Sequence, residues 1–148
     1  MPLILRTKPD GRIVLAESKK YAGYLFVCLE DSTIFLAQRS KKDDNMPGKF
    51  EGFGGNLEFE ESVEDGAKRE TIEEAGSFPK IKRILKKVIS DTPNGGTYTM
   101  FIAELTAEEK AKWKVKLSKE HEDSGWFDKL PSAIHPALYK ELKELAAA

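Results

Sequence analysis

Gly54-Gly55-Asn56-Leu57-Glu58-Phe59-Glu60-Glu61-Ser62-Val63-Glu64-Asp65-Gly66-Ala67-Lys68-Arg69-Glu70-Thr71-Ile72-Glu73-Glu74-Ala75-Gly76 is the stretch on which the reading of this chain turns. From Glu61 to Ala75 it has no proline and a helix-favouring composition. Ser62 with Asp65 three residues later has the form of an N-cap, and Gly76 stands where a C′ glycine belongs. At ~100° per residue, Glu70, Glu73 and Glu74 share one helix face, being i, i+3 and i+4. Val63, Gly66 and Ala67 fall on the same stripe, while Glu64, Asp65 and Lys68 form a solvated face opposite. The carboxylates therefore point where the small and apolar residues point. Like charges at this spacing repel by about a few tenths of a kcal/mol on an exposed helix, and by more when buried, unless a cation neutralises them. Hard oxygen ligands suit Mg²⁺, Mn²⁺ or Ca²⁺. The helix alone leaves a second reading open, a Glu-rich face turned to solvent.

Outward from this helix the pattern is mostly strand. Leu3 to Arg6 and Ile13 to Ala16 flank the turn Lys8-Pro9-Asp10-Gly11. Tyr24 to Leu29 is an apolar run of the kind a strand buried on both faces shows, and Thr33 to Ala37 is a second. Ser40 to Gly48 is polar and reads as a loop. Beyond the helix, Ile81 to Ile89 and Thr97 to Leu105 read as strands joined by a turn at Asn94-Gly95-Gly96. Thr106 to Glu109 opens a short helix running to Trp113. Lys114 to Leu117 and Ser124 to Phe127 read as strands, and His135 to Leu145 as a closing amphipathic helix. Strands and helices do not alternate strictly, so the fold class is α+β with a mixed β-sheet. The terminal Ala146-Ala147-Ala148 carries no functional signal.

The 148 residues fit one domain spanning 1–148, 40% apolar and 33% charged. Its 24 basic and 25 acidic side chains nearly cancel, which argues against a dedicated nucleic-acid binder. One cysteine, Cys28, excludes an internal disulfide and a cysteine-rich zinc site. No run approaches membrane-spanning length and no signal-peptide core is present, so a soluble, cytoplasmic protein is expected.

The quoted stretch fits G-x5-E-x7-R-E-U-x-E-E-x-G, with Gly55, Glu61, Arg69, Glu70, Glu73, Glu74 and Gly76 in place. It resembles the Nudix box, the signature of the Nudix (MutT-like) hydrolases. Thr71 stands where an aliphatic residue is usual, and Ser77 where a hydrophobic one is, with Phe78 next to it. The resemblance extends to Leu36-Ala37-Gln38-Arg39, Pro47-Gly48-Lys49-Phe50 and Gly52-Phe53-Gly54-Gly55 upstream. Downstream it includes Glu120-His121, Trp126-Phe127 and Leu130-Pro131. It implies a Nudix-type α/β/α sandwich around a mixed sheet and hydrolysis of a nucleoside diphosphate linked to another moiety.

By this resemblance Glu70, Glu73 and Glu74, with the carbonyl of Gly54 or Gly55, hold Mg²⁺ (Mn²⁺ may substitute) against the diphosphate. Glu61 and Arg69 match the family's structural salt bridge and orient those ligands. Which carboxylate takes the proton is left open among the box acids and Glu120. Arg39, Phe50, Glu51, Phe53 and Trp126 are the candidate substrate contacts. His121 and His135 lack metal-ligand spacing and read as structural or solvated, Cys28 as core, and Trp113 as a helix anchor.

In local motif, Lys49 to Gly55 and Glu64 to Glu70 look most like the oxidised-purine nucleoside triphosphatases. Those enzymes read their purine with an Asn where this chain has Glu51, and with an acidic pair roughly where it has Ala137 and Leu138. The expected partner is a small nucleotide, most simply a nucleoside triphosphate cleaved to monophosphate and pyrophosphate. ADP-ribose or a nucleotide sugar is the alternative substrate, and a non-catalytic nucleotide-binding module the alternative of another class. Monomer and homodimer both remain open.

Overall fold

The computed structural model describes residues 3–7, 9–17 and 19–147. Lys8 of the first turn and Ala148 of the terminal run lie outside them. The chain opens with a hairpin, β1 (Leu3–Thr7) antiparallel to β2 (Ile13–Glu17). It continues through β3 (Lys20–Cys28), β4 (Thr33–Arg39), β5 (Phe50–Glu51), β6 (Phe53–Asn56) and α1 (Val63–Ala75). After these come β7 (Arg83–Asp91), β8 (Thr97–Glu104), α2 (Ala107–Lys112), β9 (His121–Phe127) and α3 (Pro136–Ala146). Among the described residues the main sheet runs β5-β4-β3-β8-β7, with β6 on β3 and β9 on β4. The β3–β8 pairing is parallel and the others antiparallel, the mixed sheet that the broken strand–helix alternation predicts.

β3 is buried on both faces from Ala22 to Cys28 because a helix covers each side. On one face α1 lays Ala67 and Ala75 against Tyr24, Phe26, Phe53 and Phe101. On the other, α3 packs Leu138 and Leu142 against Leu25, Val88, Met100 and Ile102. The sandwich is therefore α/β/α.

Both departures at the box are accommodated by packing. Thr71 is fully buried, and its hydroxyl donates to the Ala67 carbonyl at 2.8 Å, so no polar group is stranded in the core. Phe78 fills the apolar site by standing edge-on to Tyr24 and Phe26, while the Ser77 hydroxyl accepts from the Trp113 indole at 3.1 Å.

One expected strand is absent. Lys114 to Leu117 is extended but joins no sheet. Its backbone closes the end of α1 instead, with Lys116 N–H donating to Ala75 at 2.8 Å and Ser118 N–H to Glu74 at 3.0 Å. Alternating charged and apolar residues suit any extended segment packed on one side. Here the partners are orphan helix-end carbonyls rather than a strand edge. This strap fixes where residues 118–121 emerge, beside the acidic end of α1. Among the described residues no helix is long and apolar enough to cross a membrane.

Candidate active site

Ser62 caps α1 by accepting the Asp65 N–H at 3.1 Å, and Gly76 closes it in the left-handed conformation. The helix is thereby fixed in length and phase, and its acids are aimed. Glu74 is 3% exposed, and its carboxylate accepts the Gly54 N–H at 3.1 Å. Burial pushes its pKa up to about 10 against the opposing Gly54 hydrogen bond, and neighbouring Glu120 pushes the same way. Burial also raises Glu70, with Arg69 opposing and Glu73 and Glu120 adding to it. Glu120 itself lies on the surface at the end of the strap.

Glu73 differs from its neighbours. Adjacent helix positions point ~100° apart, so with Glu74 turned inward Glu73 turns out, and its side chain is 55% exposed. Arg69 ties the set together. Its Nε and Nη2 donate to Glu61 at 2.8 and 2.9 Å, and Nη2 also reaches the Asn56 carbonyl at 2.8 Å. Its Nη1 donates to both Glu70 and Glu73 at 3.0 Å. Arg69, with the Glu58 N–H assisting, holds the Glu61 carboxyl down at about 2. In this arrangement no three acidic, His or Cys side chains among the described residues form a ready ligand set, because the guanidinium stands between Glu70 and Glu73.

β6 separates this acidic cluster from a second feature. Side chains alternate across a strand, so Gly54 and Gly55 face opposite ways. A Cβ on Gly55 would collide with the Glu70 carboxylate, and one on Gly54 with the Tyr98 hydroxyl. Both positions need glycine for close approach. On the Tyr98 side lies a cavity of about 520 Å³ between the sheet and α3, within the ~300–1,000 Å³ range of small-molecule sites. Its wall mixes Tyr98, Met100 and Leu138 with the carboxyls of Glu51 and Glu141.

The structure sorts the expected substrate contacts. Arg39 and Glu51 line the cavity and bond to each other at 3.1 Å, while Arg39 also binds Asp43 at 2.8 Å. Phe50, Phe53 and Trp126 do not line it. Phe53 is 1% exposed in the core under α1, packed against Phe35, Trp113 and His121, and has no surface to offer a ligand. Phe50 packs on Phe127, and Trp126 packs on Phe35 with the Lys110 ammonium 4.9 Å over its ring. Phe53 therefore belongs to the core, while Phe50 and Trp126 are half-buried beside it and outside the cavity wall.

Three groups, two in the cavity wall and one behind it, escape the sequence reading. His121 is buried behind the wall with its Nε2 3.0 Å from Glu51 Oε2, the oxygen that Arg39 Nη1 also reaches. Tyr98 is stacked on Tyr21 at 6.0 Å between ring centres. Glu141 is buried on α3. Only Glu141 left a legible signal, a carboxyl within the stripe Leu138, Leu142 and Leu145 that faces the sheet. His135 is the N-cap of α3, its Nδ1 accepting the Ala137 N–H at 3.0 Å, and burial lowers its pKa.

The family model described as NUDIX domain matches residues 18–143. Among solved structures, a NUDIX hydrolase from Nitrosomonas europaea is similar at TM-score 0.69 and 22% identity, over 95% of this chain and 83% of that one. A MutT NUDIX hydrolase from Burkholderia pseudomallei aligns at TM-score 0.62 and 25% identity, over 87% and 98%. An Ap4A hydrolase from C. elegans aligns at 0.65 and 22%, over 87% and 96%. A comparison with curated proteins returns no match. With the box acids in place on α1, the sandwich around them and the family model covering 18–143, the chain belongs to the Nudix family and is a Nudix-type pyrophosphohydrolase.

Proposed function

We propose that the protein hydrolyses a nucleoside triphosphate to the monophosphate and pyrophosphate with the help of Mg²⁺, for which Mn²⁺ can substitute. The observation that carries this reading is the pair of compartments on either side of β6. The box acids Glu70 and Glu74 lie on one side, and a cavity large enough to take a nucleobase, with polar groups in its wall, lies on the other.

The donor set fits a hard divalent cation. It is all oxygen, and it holds a buried carboxyl whose charged form is strongly disfavoured until positive charge arrives. Glu70, Glu73 and Glu74, with the carbonyl of Gly54 or Gly55, would hold the ion. When bound, it supplies Lewis-acid polarisation of the diphosphate and a more acidic water. Glu61 and Arg69 orient the cluster, since one guanidinium reaches Glu61, Glu70, Glu73 and the Asn56 carbonyl. In this reading Glu120 takes the proton from the attacking water, supported by its nearness to Glu74 and Glu70. Arg39 and His121 fix Glu51 in the wall of the cavity that takes the base.

The test is incubation with Mg²⁺ and a panel of triphosphates, ADP-ribose, nucleotide sugars and diadenosine polyphosphates, with products resolved by chromatography and Glu73→Gln as control. Monophosphate plus pyrophosphate is the expected result. Monophosphate plus a sugar phosphate would transfer the protein to the ADP-ribose class. Nucleotide binding with no turnover of any substrate would refute hydrolysis.

A further inference from the structure

α3 places a carboxyl where its periodicity calls for an apolar residue. Glu141 is 6% exposed, lines the cavity, and has no hydrogen bond or ion pair to any described residue. Its electrostatic neighbours across the same cavity are Glu51, which repels it, and the Tyr98 phenol, and neither brings a positive charge. The other titratable or charged groups in the described wall are Tyr21 on β3, Arg39 on β4, Asp91 on β7, Tyr98 on β8 and His135 at the head of α3. Arg39 is already engaged by Glu51 and Asp43, and burial disfavours the charged form of His135. No cation in this wall therefore answers Glu141.

A buried polar group without a partner costs stability, and such groups are tolerated where a ligand completes them. Where Glu51 and Glu141 face each other, two carboxyls make that part of the wall rich in acceptors, with the Arg39 cation already spent on Glu51 and Asp43. The complementary ligand edge is rich in N–H groups. Among nucleobases, the edge with a ring N–H beside an amino group is that of a 2-amino-6-oxopurine, whose adjoining carbonyl needs one donor in return. A carboxylic acid in its neutral form carries one O–H donor.

We propose that Glu141 and Glu51 together read this guanine-type edge, Glu51 accepting from the ring N–H and amino group and Glu141 donating its acid proton to the 6-carbonyl. The assignment rests on the cavity taking the base, as proposed above, but not on hydrolysis. Burial, with the Glu51 charge adding to it, pushes the Glu141 pKa up to about 8, so the acid form predominates at neutral pH. Adenine turns a ring acceptor toward Glu51 and is disfavoured. Hypoxanthine lacks the amino group and falls between.

The experiment is calorimetric titration of GMP, IMP and AMP in EDTA at pH 6.5 and 9, on the wild type, Glu141→Gln and Glu141→Leu. The Gln amide keeps a donor and an acceptor in nearly the same shape, whereas Leu keeps neither. Wild type and Glu141→Gln are expected to bind GMP at least about tenfold tighter than AMP at pH 6.5, with IMP between. Glu141→Leu is expected to lose most of that ratio through weaker GMP binding, and only the wild type loses it at pH 9. An unchanged GMP preference in Glu141→Leu overturns the assignment, as does an AMP preference in the wild type. Loss in Glu141→Gln equal to that in Glu141→Leu overturns the acid-donor role. GMP discrimination without turnover of any triphosphate refutes the hydrolytic proposal and leaves this one standing. Turnover without GMP discrimination does the reverse.

Discussion

Glu74→Gln isolates the cost of aiming an acid into the core. Glu74 is 3% exposed with its pKa pushed up to about 10 by burial, against an ordinary 4.5. Between those values the folded protein holds a proton that the unfolded chain has released. The stability associated with it is fully present below pH 4.5 and drains away as pH rises toward 10. The slope for one such group is at most ~1.4 kcal/mol per pH unit. From pH 6 to pH 8 this gives a ceiling of ~3 kcal/mol, and relaxation around the charge brings a working expectation to ~1–2 kcal/mol. At roughly 2–4 °C per kcal/mol for a chain of this size, the midpoint should fall by several degrees relative to the variant. Gln keeps the acceptor for the Gly54 N–H and removes the titration. Glu70 and Glu141, also raised by burial, are common to both proteins, so the difference between them reports Glu74 alone. The assay is thermal unfolding by circular dichroism in EDTA from pH 5 to 9. The two proteins should nearly coincide at pH 5, with Glu74→Gln increasingly the more stable above it and turnover reduced by orders of magnitude. Parallel midpoint-against-pH curves would refute the burial argument, whatever happened to activity.

Gly54→Ala and Gly55→Ala should separate stability from catalysis. At Gly54 the new Cβ meets the Tyr98 hydroxyl and the Ala22 carbonyl at 2.8 Å, so a loss of ~1–3 kcal/mol is expected in denaturant unfolding. At Gly55 its nearest neighbours are the Glu70 carboxylate atoms, the far end of a side chain, so kcat should fall far more than stability. Arg69→Ala leaves Glu61, Glu70 and Glu73 without their shared cation; a lowered Tm is expected, partly restored by millimolar Mg²⁺ and read by the same melts. Phe53→Ala should cost about 3–5 kcal/mol, while the milder Phe53→Leu leaves KM unchanged, since Phe53 touches core and not cavity.

The positions of the box side chains are far more legible in the sequence than the wall of the cavity, and the reason is spacing. Glu61, Arg69, Glu70 and Glu74 meet through one helix and the turn before it, so a fixed interval in the chain is a fixed position in space. Cap residues Ser62 and Gly76 were legible for the same reason. The cavity draws on β3, β4, β5, β6, β7, β8 and α3, whose encounter depends on sheet order. Glu51 and His121 lie 70 positions apart and still meet at 3.0 Å. Hydrophobic pattern also cannot separate an aromatic that faces a ligand from one that faces core, so the sequence leaves the surroundings of Phe50, Phe53 and Trp126 undetermined. Lys114 to Leu117 failed on the same kind of ambiguity, since extended backbone shows the same alternation with or without a strand partner.

The alternation of Gly54 and Gly55 links the two sides physically. Because one glycine admits Tyr98 and the next admits Glu70, a single backbone layer separates the base-sized cavity from the acids. A nucleotide seated with its base under α3 must pass its phosphates around this strand to reach them, so the positioning falls on backbone that side chains cannot alter without collision. Residues in the cavity wall, Glu51 and Glu141 among them, are free of that constraint. Substitutions there can change which base is held while the acid cluster keeps its geometry. The prediction is a specific dissociation: Glu141→Leu should shift base preference with kcat on the preferred triphosphate little changed, whereas Gly55→Ala should lower kcat equally for every base. A Glu141→Leu protein with kcat reduced alike on all bases would show that the two compartments are coupled and would refute the separation argued from β6.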